Sequence, residues 1–258
     1  MKKLLIIALV VLLSAPVVAQ EKLFLVFELM QVDNEQENDY METEQFWKKI
    51  HQKRSDAGDI VGWDLWALLP GGEHQGYQYA TVTLFDSAEK MFENPNLWKR
   101  VKEAYPDMSD DDLDKKMMSA AKSRDLAVRI FMQEIANTKG DFEMKVGTVA
   151  NMDFMKVDMN GYDAYEKAEM EVFQPWHQQM IDDGAKGYWS LSRFMVPTGS
   201  DTYASHMTVN MFEDVKQALA QNASGEEPTE AQMKAIMEGL KTRDLKFTYM
   251  ARLIDMVR

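Results

Sequence analysis

Cysteine is absent from the 258-residue chain, and histidine is scarce at four. No disulfide can form, no thiolate is available for a metal, and no cysteine can carry a lipid, so stability must come from the core alone. Positive charge is also short: 29 Lys and Arg stand against 42 Asp and Glu, a formal net charge of −13. A surface so acidic repels phosphate backbones and anionic lipid, which disfavours nucleic acid and membrane surfaces as partners. There is no glycine-rich phosphate loop, and no Ser-His-Asp arrangement that spacing alone reveals. Only one long apolar run occurs, Leu4 to Leu13, and it is too short to span a bilayer comfortably. Lys2-Lys3 before it and Val17-Val18-Ala19 after it complete an export leader over residues 1–19, cut at Gln20. The expected mature protein is exported, periplasmic or secreted, and not inserted in a membrane. Loss of Lys2 and Lys3 takes its net charge from −13 to −15.

What the chain does have is a long pattern written twice. The first copy reads His51-Gln52, Gly58, Gly62-Trp63-Asp64-Leu65, Pro70-Gly71 and Tyr79 to Phe85. The second reads His177-Gln178, Gly184, Tyr188-Trp189-Ser190-Leu191, Pro197-Thr198-Gly199 and His206 to Phe212. His to Gly is seven residues in both, Gly to Trp five and Pro to Phe fifteen, while Trp to Pro is seven in one copy and eight in the other. A single-residue β-bulge in the second copy accounts for the difference. Lys122-Ser123-Arg124-Asp125-Leu126 likewise returns as Lys241-Thr242-Arg243-Asp244-Leu245, and extra residues around Phe92 to Trp98 lengthen the first copy.

Periodicity assigns the elements. Residues 22–32 read as a strand, Asn38 to Ala57 as a helix ending at Gly58, and Val61 to Leu69 with Tyr77 to Phe85 as a hairpin. Ala88 to Tyr105 is helical with a break at Asn94-Pro95, a further helix opens at Ser109-Asp110-Asp111-Asp112, and Leu126 to Ile135 is the fourth strand. The second copy gives strands at Lys145 to Val157, Tyr188 to Val196, Tyr203 to Phe212 and Lys246 to Met256. Its first helix, Tyr162 to Asp183, should kink or split at Pro175, and Thr229 opens its last helix with a capping box. The order β-α-β-β-α-β is the ferredoxin-like module, so repeat 1 spans 20–139 and repeat 2 spans 140–258.

Two such repeats in one chain resemble the dimeric α+β barrel superfamily, which includes NIPSNAP-like proteins, antibiotic-biosynthesis monooxygenases, haem-degrading monooxygenases and the chlorite dismutase group. The resemblance rests on topology and repeat and covers everything after the leader. It implies an α+β fold in which the two sheets close into a single-chain barrel with helices outside. It also admits an oxygenase or isomerase activity, with haem as a possible cofactor, and matches no catalytic motif.

Strand alternation divides the side chains into two faces. With Ala80, Val82 and Leu84 taken as the set under the helices, the opposite set is expected to point into the barrel. That set holds Glu28, Asp153 and Asn151 from the first strands, Tyr79 and His206 from the third, and Arg129 and Arg252 from the fourth. The expectation is a charge-paired polar pocket for a small molecule, in which Glu28, Asp153, Arg129 and Arg252 converge beside His206 and Tyr79. The bland alternative is a solvated face or a structural network between the halves, and a third reading is a structural or partner-binding exported protein whose sheet face is an interface. His51 and His177 lie on the buried stripe of their helices and read first as structural, with a role as haem ligand or base second. Arg124-Asp125 and Arg243-Asp244 read as clamps from helix end to strand. No two histidines have zinc spacing, and Asp107 to Asp114 lacks the glycine and terminal Glu of a calcium loop. Met152 and Met155 fall on opposite strand faces, which suits core filling rather than copper. No metal is therefore expected, and neither ligand identity nor oligomeric state is legible.

Overall fold

The computed structural model describes residues 22–33, 35–70, 76–94, 96–120, 122–220 and 228–258. The leader at 1–19 and the turn residues Gly71-Gly72 lie outside them. The first half comprises β1 (Phe24–Gln31), α1 (Glu37–Asp56), β2 (Gly62–Leu69), β3 (Tyr79–Phe85), α2 (Ala88–Glu93), α3 (Leu97–Ala104), α4 (Asp110–Ala120) and β4 (Asp125–Asn137). The second comprises β5 (Val149–Lys156), α5 (Tyr162–Ala168), α6 (Gln174–Asp182), β6 (Tyr188–Val196), β7 (His206–Phe212), α7 (Val215–Leu219), α8 (Glu230–Leu240) and β8 (Asp244–Val257). Asp214 caps the short α7 by accepting from the Gln217 N–H, a start signal the sequence reading passed over. Thr229 and Gln232 form the expected capping box on α8.

The strands close into one ring in the order β1-β3-β2-β8-β5-β7-β6-β4, every pair antiparallel. Within each half the order is fourth, first, third, second. The halves join where β2 meets β8 and β4 meets β6, so each long fourth strand finishes the other half's sheet. Met195 is skipped in the β4–β6 register, which is the bulge that makes the second Trp-to-Pro interval longer.

The first helix of the second half does divide, though with a device more specific than a proline kink. Glu169–Phe173 forms a π-helical turn between α5 and α6, and Pro175 sits in the opening turn of α6, where its missing N–H costs nothing. The turn inserts one residue: Tyr40 and Glu44 correspond to Tyr165 and Glu169, 125 positions on, whereas His51 corresponds to His177, 126 positions on. The insertion lets the second half keep its histidine against its tryptophan despite the extra residue.

The barrel interior is apolar. Phe27 and Leu29 of β1, Trp66 and Leu68 of β2, Ala80 and Val82 of β3, Ile130 and Met132 of β4, Met152 and Phe154 of β5, Phe194 of β6, Met207 and Val209 of β7, and Ala251 and Leu253 of β8 make one buried cluster. Phe154 lies at its centre and meets Phe27, Phe194, Tyr203 and Tyr249 edge-on or tilted. Smaller clusters sit between the outer face and the helices; Met155 belongs to one of these, opposite Met152 as alternation requires. Phe154→Ala should therefore cost about 3–5 kcal/mol of stability in denaturant unfolding. Phe247→Ala, at a residue half exposed, should cost less than about 1 kcal/mol; equal losses would show that the interior is not the main core.

Candidate functional site

The polar strand residues face outward, beneath the helices, and not into the barrel. Glu28 accepts from the Arg129 Nε at 2.7 Å and from the Thr81 hydroxyl at 3.0 Å. Asp153 accepts from the Thr248 hydroxyl at 2.6 Å and from Asn210 Nδ2 at 3.0 Å. Asn151 is on the same outer face, opposite Asn210 and Met250, and Arg252 is exposed on β8 between Ala67 and Val149. Glu28, Asp153, Arg129 and Arg252 thus do not converge: Glu28 and Arg129 pair in the first half, and Asp153 finds hydroxyls and an amide in the second. Tyr79 packs on Tyr40, ring centroids 4.5 Å apart, and His206 occupies the matching place against Tyr165 at 4.8 Å. The expected face was inverted for a physical reason. The interior of this eight-stranded ring is filled by its own side chains, and charged groups buried there would lose water without recompense, so the apolar set takes it. Charged groups go to the face where helices stand off the sheet and water reaches.

In the first half the space under α1 is a cavity of about 330 Å³. The sheet supplies its floor from Glu28, Thr81, Thr83, Trp63 and Arg129; α1 supplies its roof from Glu44, Trp47, His51 and Arg54; Phe92, Asn94 and Leu97 close one side. Phe92 stacks on Phe131 at 4.9 Å where the cavity opens. Glu44 and Arg54 were not picked out from sequence. The signal existed for Glu44: Tyr40, Glu44 and Arg124 recur as Tyr165, Glu169 and Arg243.

Several of these groups have displaced protonation behaviour. Glu44 is almost fully buried and pairs with Arg124, yet burial outweighs the arginine and pushes its carboxyl up to about 7. His51 stacks on Trp63, centroids 5.1 Å apart, with Arg54 Nη1 3.1 Å from its Nδ1. A guanidinium only donates, so Nδ1 accepts and Nε2 carries the proton. Burial first, then Arg54 and Arg124, hold the ring's pKa well below its ordinary value, and it is neutral. Arg54 itself is buried; its Nη2 donates to Asn94 at 2.7 Å, and burial brings its pKa down to about 10. Among the described residues, neither Arg54 Nε nor Trp47 Nε1 has a hydrogen-bond partner.

The second half repeats the scaffold but fills the space. His177 stacks on Trp189 at 5.0 Å, and Glu169 pairs with Arg243. Met180 stands where Arg54 would be, and Lys186 where the first half has Ile60. Lys186 Nζ reaches in to His177 Nδ1 at 2.7 Å and Asn210 Oδ1 at 2.6 Å. Phe173, from the π turn, packs under Arg243 at 4.6 Å and against Gly239, where a β-carbon would come within 2.9 Å of its ring. The cation has moved from helix to strand entry, and the second site is self-occupied. His206 belongs to a separate buried network in this half, with Nε2 3.0 Å from Glu166, Nδ1 3.0 Å from Ser205, and Arg193 forked onto Glu166. Among the described residues no three His, Asp or Glu are grouped to hold a metal, and no helix is long and apolar enough to cross a membrane.

A closed eight-stranded antiparallel barrel built from two ferredoxin-like halves, with helices outside, is the architecture of the dimeric α+β barrel superfamily, and this chain has it. Among solved structures it is similar over 93% of its length to 95% of a candidate monooxygenase from Fusobacterium nucleatum, with a TM-score of 0.58 at 9% identity. It is similar over 92% to 93% of an anthrone oxidase-like protein, TM-score 0.54 at 11% identity, and over 92% to 96% of a candidate monooxygenase from Lactobacillus acidophilus, TM-score 0.51 at 10% identity. No protein-family model matches the chain, and no curated protein sequence does.

Glu44 gives this site a pH signature. A carboxyl whose folded pKa is raised favours the fold while protonated, and that contribution is lost as pH climbs from its ordinary 4.5 through about 7. Relative to Glu44→Gln, which cannot titrate, the wild type should lose about 1–3 kcal/mol between pH 4.5 and pH 8. Urea midpoints of the two proteins across that range check it, and parallel curves would place the Glu44 carboxyl at an ordinary pKa.

Proposed function

We propose that the chain binds a small aromatic molecule in the cavity beneath α1, and that only its first half does so. The observation that carries this reading is the contrast between halves. One duplicated scaffold holds an open space walled by Trp47, Trp63, Phe85, Phe92 and Phe131, and the other fills the same place with its own Lys186. A volume of about 330 Å³ is at the small end of ligand pockets, suited to a compound of two or three fused rings. The leader read at residues 1–19 supports placing this binding outside the cytoplasm.

The fold shared with candidate monooxygenases and an anthrone oxidase-like protein supports a second reading, in which the ligand is a substrate for oxygen. Glu44, poised near 7 on the cavity wall, is the group suited to take a proton from an acidic carbon or phenol. Haem, which some members of the superfamily use, does not suit the described histidines. His51 Nδ1 accepts from Arg54, so its Nε2 carries the ring proton, His177 Nδ1 is engaged by Lys186, and both ring nitrogens of His206 are bonded.

Thr83→Phe places a ring on the cavity floor and should leave the melting temperature within a few degrees. It should weaken binding of 2-naphthoate, followed by isothermal titration calorimetry, at least tenfold; unchanged binding would locate the site elsewhere. For the oxygenase reading, an oxygen electrode should record uptake when anthrone is added, the ring methylene leaving as carbonyl and water, and Glu44→Gln should slow it at least tenfold. No uptake by the wild type would leave the protein a binder.

A further inference from the structure

We propose that the ligand of the first-half cavity is an organic anion whose charged oxygens sit on Arg54 Nε and Trp47 Nε1. The inference rests on the cavity being the binding site and adds the ligand's charge. A buried guanidinium is ordinarily matched by a carboxylate, since leaving it unmatched is costly and arginine, unlike a buried lysine, still keeps its proton at neutral pH. Arg54 has no such direct match, only the Phe85 ring 5.8 Å beneath it and the more distant charges of Asp59 and Glu28. Its Nη1 and Nη2 bond two neutral groups, His51 and Asn94, and no carboxylate among the described residues is within ion-pair reach of it. The three nearby acids are each held by another arginine: Glu28 by Arg129, Glu44 by Arg124 and Asp59 by Arg100. Arg54 and Trp47 both line the cavity, and their Nε and Nε1 N–H groups are buried donors with nothing to receive them.

The second half indicates how this scaffold treats a cation that is not meant for a ligand. Lys186 reaches the same histidine, but Asn210 relays it to Asp153, and Asp153 has no arginine of its own to satisfy because Thr248 stands where the first half has Arg129. The first half has Thr83 in place of Asn210, so the relay is missing, and Glu28 is spent on Arg129. One copy of the duplication neutralises its cation internally; the other leaves it facing an aromatic-walled space. An aromatic carboxylate, or a phenol or enol that ionises on binding, supplies what Arg54 lacks. The acidic net charge of the chain makes the contrast sharper, because a small anion gains little from the exterior as a whole.

The test is a matched pair of probes on the whole protein, 2-naphthoate and its neutral amide 2-naphthamide, titrated calorimetrically at pH 7.5. The carboxylate should bind at least tenfold tighter. Arg54→Gln should bring it down to the level of the amide, and without ligand this variant should melt no lower than wild type, since an unmatched buried charge has been removed. Equal affinity for the two probes would overturn the anion inference while leaving the cavity reading standing, and no binding of either would overturn both. A folded Arg54→Gln protein that keeps the preference would also overturn it. Should Arg54→Gln not fold, Trp47→Phe retains the ring and removes the donor; it should weaken 2-naphthoate severalfold more than 2-naphthamide, and equal weakening counts against the proposal.

Discussion

Closure of eight strands into one ring governs everything else in this molecule. Each ferredoxin-like half would alone expose two sheet edges, its second and its fourth strand, and exposed edges recruit other chains. Pairing β2 with β8 and β4 with β6 removes all four edges at once. The ring then encloses a volume that only its own side chains can occupy, and the strands supply Phe, Leu, Ile, Met, Val and Ala for it. Because the interior is used up by closure, any polar chemistry has to sit on the outer face. There each half has its own helical cover, and each has its own potential site.

Duplication gave the two covers the same supports. A glutamate from the first helix is buried against an arginine at the start of the fourth strand, Glu44 on Arg124 and Glu169 on Arg243, and a tyrosine one turn earlier, Tyr40 or Tyr165, packs under that arginine. A histidine further along stacks on the tryptophan of the second strand. These contacts tie helix to sheet at two points and fix the height of the roof. The arginines at 124 and 243 do clamp helix to strand, onto glutamates within the first helical segment rather than at a helix end, and their neighbouring aspartates take no part. What differs is how the space between the two points is used. A π turn and one displaced cation fill it in the second half, and the extra residues that form α3 and the Asn94 region border it in the first.

Electrostatics make the two halves unequal in a way that packing alone would not. His51 is buried and His177 half-buried; burial and a neighbouring cation hold both well below the ordinary histidine pKa. Lys186, brought down to about 8 by burial, can release its proton if its surroundings require it. Arg54, brought down only to about 10, keeps its charge at neutral pH, and the neighbouring carboxylates are engaged elsewhere. The surrounding surface is strongly acidic, and a lasting positive charge inside it is a local exception maintained at a cost.

The tandem repeat, the order of elements and the presence of a bulge were legible from residue spacing, because turns, caps and period-two strands are local properties; the closed barrel was legible only through the superfamily that this order resembles. The cluster of polar strand residues was legible too: Glu28 with Arg129 and Thr81, and Asp153 with its hydroxyls, do share a face. Alternation divides a strand into two faces but does not say which one closes on itself. Both faces of these strands are covered, one by the opposite wall of the barrel and one by helices, so burial looks much the same from either side. Only the tertiary structure decided that Ala80, Val82 and Leu84 look inward while Thr81 and Thr83 look up at α1. It also decided which helical residues meet them: Glu44, Trp47 and Arg54 become a site only when α1 is set over β1 and β3. Ile60 and Lys186 occupy equivalent places in the repeat and look like an unremarkable substitution in sequence. Across the gap between helix and sheet, that exchange fills one cavity and leaves the other open.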